Sequence, residues 1–297
     1  MGSHCEVVLD TVDEAGARAL AQFAIDEVQR IEHKYSRYRT DSVISRVNAA
    51  AGLEWIECDA ETGSLLDFAD SLFQKSGGLF DITSGVLRQA WDFKQGLLPT
   101  AETLARILPL VGWSRVERKE GKLRLAEAGM EIDFGGFGKE YAADRAATAL
   151  GKAGALHGYV NLAGDLGIFG PKPDGQPWVV GIQDPRQKDS ICATIPIASG
   201  ALATSGDYER FFEQDGKRYC HVLDPRNGWP VTYWRSVSVL APLAIVAGSC
   251  STIAMLMEAE GLAFLEATGL SYLAIDHLGE IHQVNSSKIA HIQPTTR

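Results

Sequence analysis

The 297-residue chain lacks any paired cysteines. Its five, Cys5, Cys58, Cys192, Cys220 and Cys250, are scattered with no C-x-x-C spacing. That excludes a zinc knuckle and argues against a disulfide framework, leaving buried free thiols as the expectation. Also missing is any run of ~18 continuous apolar residues, so no membrane span is expected. No basic-then-apolar leader precedes the strand-like "CEVVL", which points to a cytoplasmic protein, or to a periplasmic one whose leader has been removed. Positive charge is in short supply: 28 Lys and Arg against 38 Asp and Glu give a net charge of -10. Nucleic acid is therefore not the expected partner, because phosphate backbones need basic stripes. The seven histidines have no mutual ligand spacing, so a histidine metal site is not expected either.

What is present is ordinary for a globular protein, with 45% apolar and 22% charged residues and ample length for a core. No segment reads as a flexible linker or a low-complexity tract. The expectation is one domain over residues 1–297, or two intimate subdomains. Apolar positions at helical spacing predict helices over 13–35, 60–76, 100–110, 139–151 and 246–258, with another from 260. Strands are predicted at 5–9, 53–57, 122–125, 130–133, 159–162, 166–169, 178–182, 191–197, 236–240, 271–276 and 280–284. A hairpin is expected to close on Asp215-Gly216. Hairpins outnumber strand–helix–strand units, which predicts an α+β fold with largely antiparallel sheets flanked by helices.

Several short stretches carry possible chemistry. "DFGGFGKEYAADRAA" (133–147) runs strand, glycine turn, helix, and such a turn lets backbone approach a phosphate at a helix start. It is neither G-x-G-x-x-G nor a P-loop, and a purely structural turn reads equally well. "FDITSGVL" (80–87) and "ALATSGDYERFF" (201–212) each place Thr-Ser-Gly where a strand ends, which more often than not is simple turn chemistry. "HVLDPRNGWP" (221–230) sets His221 on a strand before a turn, where a general base near neutral pH is one reading and a structural histidine the other. "YSRYRTDSVISRVN" (35–48) offers aromatics and arginines for a ring and a phosphate, or a solvated helix end. "VAGSCSTIAMLM" (246–257) reads as a helix start rich in hydroxyls, with no carboxylate between Leu243 and Met257.

Taken in order, these segments, together with "YVNLAGDLGIFG", "WVVGIQDP" and "SVSVLAP", resemble the ApbE family of FAD:protein FMN transferases over nearly the whole chain. The resemblance implies FAD as substrate and Mg2+ as cofactor. It implies FMN attached through a phosphoester to a Thr or Ser of a target flavoprotein, with AMP released. The alternative is an FAD-binding protein of the same fold with weak pyrophosphatase activity or none. By position, the resemblance assigns Tyr38 to stacking on the flavin, with Met1 nearby. Phe80, Asp81, Lys139, Arg145, Leu223 and Ser251 fall at cofactor-contacting positions. Ala142 (through its carbonyl) and Thr252 fall at metal-ligand positions, and His221 at the catalytic base. The departure is Gly248, where the family usually has Asp. With Gly248 in the first turn of a helix, replacing it by Asp is expected to be tolerated and to tighten the metal.

Overall fold

The computed structural model describes residues 4–11, 13–285 and 292–294. Seven α-helices are present among them, namely α1 (Glu14–Tyr35), α2 (Val43–Ala49), α3 (Ala60–Lys75), α4 (Ala101–Ile107), α5 (Gly138–Lys152), α6 (Ala244–Leu256) and α7 (Gly261–Thr268). None of them is long and apolar enough to cross a membrane. The chain divides into two compact units, one of residues 1–32, 137–208 and 233–297, the other of 33–136 and 209–232.

The first unit is built on a seven-stranded sheet. In spatial order its strands are Cys5–Leu9, Gly158–Leu162, Asp165–Gly170, Gly200–Gly206, Trp234–Ala241, Ser271–Asp276 and Ile281–Val284. Every neighbouring pair is antiparallel, as the hairpin-rich sequence predicts. Leu166, Ile168, Leu202, Leu240, Leu273 and Ile275 from this sheet share one core with Ile182, Ala193, Ile195 and Ile197 of a smaller sheet. Other residues of the large sheet meet α5 and α6, whose inward positions are small. A Cβ on Gly167 would already stand 3.3 Å from the carbonyl of Ala143 on α5, so that helix lies close against the strands.

The second unit holds α2, α3, α4, a 3-10 helix over Ile82–Gln89, three short strands and the hairpin Phe211–Gln214/Lys217–Cys220. The hairpin closes on Asp215 and Gly216, both at positive φ, where the sequence places its turn. Residues 130–133 are not a strand. Met130 and Ile132 are buried in alternation, but the backbone of Ile132 bonds to the side chain of Asn48 through both its N–H and its carbonyl. The Asp133 N–H bonds to a single carbonyl, that of Ile82. An alternating burial pattern was met here without a ladder. "ITSG" likewise ends no strand; it opens the 3-10 helix that Asp81 caps. Among the cysteines only Cys220 is buried, and Cys5 is exposed.

Asp59 shows how a helix start is fixed. Its carboxylate accepts from the Thr62 N–H at 3.0 Å and from Lys34 at 2.5 Å. Burial works against ionisation, but the Lys34 and Thr62 hydrogen bonds win and hold the acid at about 2. Asp59→Ala is expected to cost about 1 kcal/mol near neutral pH. Because the folded pKa lies below the unfolded one, that contribution is complete above pH ~4 and fades as pH falls toward 2. Thermal melts of both proteins across this range check it: a difference that persists unchanged at pH 2 contradicts the assignment.

Candidate active site

In the first unit, α5 starts on Phe137 with no side-chain cap. Lys139 in its first turn forms an ion pair with Asp165, a buried residue at the start of the strand Asp165–Gly170. The Lys139 Nζ also lies 3.8 Å from Glu140 Oε1. Glu140 is only 6% exposed, and its Oε2 is buried with no hydrogen-bond partner. Burial pushes the Glu140 carboxyl up to about 8; the Asp165 charge pushes the same way and Lys139 opposes. Asp165 is raised as well, by burial first, again against Lys139. One lysine therefore faces two buried acids, which share a side-chain hydrogen bond with each other. Ala142 is fully buried in the same helix. Arg145 points elsewhere, its Nε donating to Glu27 of α1 at 2.9 Å.

The helix carrying the hydroxyls begins at Ala244, earlier than the sequence suggests, with Leu243 at its N-cap. Its first N–H groups are not open to an anion. Ala244 and Ile245 donate to the Asp144 carboxylate of α5 at 2.7 and 2.9 Å. Gly248, Ser251 and Thr252 consequently act from the body of α6, not from its end. Ser205, on the strand Gly200–Gly206, gathers the hydroxyls: its Oγ lies 2.8 Å from Ser251 Oγ and 3.0 Å from Thr252 Oγ1. Ser251 also donates to the Gly248 carbonyl at 2.9 Å. The expectation that Asp is tolerated at 248 fails on geometry. A Cβ there would stand 2.6 Å from Glu140 Cγ and 2.7 Å from its Oε1.

The second unit carries the remaining candidates. Tyr38 follows α1 and is 80% exposed. The Arg37 guanidinium lies 5.1 Å from its ring centroid and is itself ion-paired with Asp133. Phe80 is buried, and a Cβ on Gly136 would come within 2.9 Å of its ring, so the glycine turn makes its close approach to Phe80. The Asp81 carboxylate is committed to structure: Oδ1 accepts from the Thr83 N–H and hydroxyl at 2.7 and 2.6 Å, and Oδ2 from the Trp113 N–H at 2.9 Å. Its backbone carbonyl accepts from the Ser84 N–H at 3.0 Å. His221 leaves the hairpin strand, with its N–H donating to the Arg210 carbonyl at 3.0 Å. Leu223 bridges Pro230 and packs beside Val86, Leu87 and Ile107. Met1 lies outside the described residues.

Thus Lys139, Ala142, Ser251 and Thr252 belong to the first unit; Tyr38, Phe80, Asp81, His221 and Leu223 belong to the second. Sequence reasoning missed Ser205, Asp165 and Glu140. The signal for Glu140 was an acid among small residues in "GKEYAAD", beside a glycine four residues before Thr252. Asp276, Glu280 and His282 also bring ligand-type atoms within 4.8 Å of one another. There, Asp276 already accepts three turn N–H groups and the His282 ring, which is the chemistry of a locked hairpin.

Known proteins resemble the chain throughout. The profile of the ApbE family matches residues 1–274. A Klebsiella pneumoniae protein named FAD:protein FMN transferase is 31% identical over 271 residues, covering 88% of this chain and 77% of that one. One of the same name from Haemophilus influenzae is 28% identical, covering 89% of this chain and 82% of its own. Among solved structures, the ApbE protein of Thermotoga maritima superposes with a TM-score of 0.88 at 32% identity, covering 97% of this chain and 95% of that one. The flavin transferase ApbE of Vibrio cholerae gives 0.85 at 27% identity, covering 97% and 94%.

Proposed function

The chain belongs to the ApbE family and transfers flavin from FAD to a target protein; we propose that it does so by forming a phosphoester between FMN and a Thr or Ser hydroxyl of that target. The hydroxyl oxygen bonds to the phosphorus on the FMN side of the pyrophosphate. The bridging P–O bond breaks, AMP leaves with the bridging oxygen, and the hydroxyl proton passes to His221. The observation that carries the reading is the extent of the likeness, since three relatives bearing this name each match 88% or 89% of the chain.

Phosphoryl transfer asks a protein chiefly for positioning and charge neutralisation. Lys139 supplies positive charge at an uncapped helix start, where the N–H groups favour phosphate. The side chains also suit a small hard cation: the Thr252 hydroxyl, the Ala142 carbonyl and a buried carboxylate oxygen without a partner are all oxygen donors. Mg2+, when bound, neutralises pyrophosphate charge and stabilises the departing AMP. Tyr38 offers an exposed ring for the flavin to stack on. Tyr38→Ala is expected to weaken FAD binding by about 1 kcal/mol, read as a roughly five-fold rise in Kd by fluorescence titration; unchanged affinity removes Tyr38 from the site.

The test of the reaction class is AMP release with and without a target protein bearing Thr or Ser. Release that needs the target supports transfer. Release at the same rate without it describes an FAD pyrophosphatase instead.

A further inference from the structure

We propose that Glu140 is the carboxylate ligand of the divalent cation in this chain, reaching from α5 into the room that glycine at position 248 leaves on α6. This assignment rests on the transferase reading above for the role of the cation, but its geometry stands apart from it. The side chain of Glu140 fills the volume that any residue other than glycine at 248 would need: a Cβ there meets Cγ, Oε1 and Cδ at 2.6, 2.7 and 2.9 Å. The two positions share one space, and this sequence spends it on an acid from the opposite helix.

Glu140 and Asp165 share a side-chain hydrogen bond, which does not account for the second oxygen of Glu140. Ala142, Ala143 and Ala146 of α5 and Ala247 of α6 are all fully buried, and an apolar side chain at 140 would carry no desolvation cost. Instead the chain keeps two buried carboxylates, Glu140 and Asp165, against the single ammonium of Lys139. Lys139 closes on Asp165 and stands off from Glu140 at 3.8 Å. Oε2 of Glu140 is left buried and without a hydrogen bond, and such an orphaned acceptor is costly unless a ligand satisfies it. The hydroxyl cluster stands on the same stretch of α6. Ser251 bonds to the Gly248 carbonyl, and Thr252 follows Gly248 by four residues, on one face of the helix. A carboxylate beside hydroxyl and carbonyl oxygens is a donor set for Mg2+ or Mn2+, which take hard oxygen ligands and commonly one or two carboxylates.

The experiment uses the full chain with FAD present and Mn2+ as the probe, followed by loss of the free-ion EPR signal. Glu140→Gln keeps shape and removes the charge. Glu140→Gly/Gly248→Asp moves the carboxylate to the other helix within the same space. The expected result is a loss of at least about ten-fold in Mn2+ affinity for Glu140→Gln, with its metal-free melting temperature no lower than that of the parent. The exchange variant should bind Mn2+ within about three-fold of the parent, on the same scale of effect. Mn2+ binding by Glu140→Gln equal to the parent overturns the assignment, as does a parent that binds none. Should Glu140→Gln fail to fold, the exchange variant decides alone, and its failure to bind Mn2+ overturns the proposal. Because the readout is metal binding, it separates from the transferase reading: a parent that binds Mn2+ through Glu140 yet adds no FMN to a target sinks the reading and leaves the site.

Discussion

His221→Ala is expected to slow FMN transfer by roughly 10²–10⁴-fold while FAD stays bound, the usual effect of losing a positioned general base. The target hydroxyl is a weak nucleophile until its proton has somewhere to go, and an imidazole near neutral pH is suited to take it. His221 leaves the hairpin strand just before the turn at 224–228, held by its backbone bond to Arg210. Asp207, the acid in the "TSGD" stretch, is not available as a substitute base. Both of its oxygens accept from the Arg186 guanidinium at 2.7 Å, a bidentate pairing that keeps the carboxylate engaged. The measurement is a single-turnover rate at saturating FAD, with flavin affinity measured separately. A rate equal to the parent's removes His221 from the chemistry. A parallel loss of FAD affinity reassigns it to binding.

Gly248→Asp on its own is expected to destabilise the protein by roughly 1–3 kcal/mol from overpacking alone. The new Cβ falls 2.6 Å from Glu140 Cγ. Glu140 cannot swing clear, since it is closed in by α5, α6 and the Asp165 strand and is only 6% exposed. A third buried carboxylate beside Glu140 and Asp165 adds charge repulsion in the same direction. Thermal unfolding of the metal-free protein should show a midpoint several degrees lower, with most of the loss recovered when Glu140→Gly is added. A single variant as stable as the parent would mean that the helices part easily at this point, and that the shared space is not a constraint.

Most of the architecture was legible in the chain because the periods were clean. The strands at 5–9, 122–125, 191–197 and 271–276 occur at those bounds, and the Asp215-Gly216 hairpin sits where two positive-φ residues are needed. Residues 130–133 misled because burial alternates there for a different reason, the clamp by Asn48. The start of α6 was displaced because its cap comes from Asp144, a hundred residues away in sequence and invisible to any local rule. The same limit hid the candidate site's acid. Composition shows that no carboxylate lies on α6 near Thr252; only packing shows that Glu140 of α5 stands in that place, and that Ser205 draws the hydroxyls together. Motif order identified the chemistry well, while pairings between distant segments stayed out of reach.

The most direct test is mass spectrometry of a Thr-bearing target flavoprotein after incubation with this chain, FAD and Mg2+. The account predicts one FMN added per target, localised to a Thr or Ser hydroxyl, with one AMP released for each FMN attached. FAD split to free FMN and AMP while the target stays unmodified would contradict it.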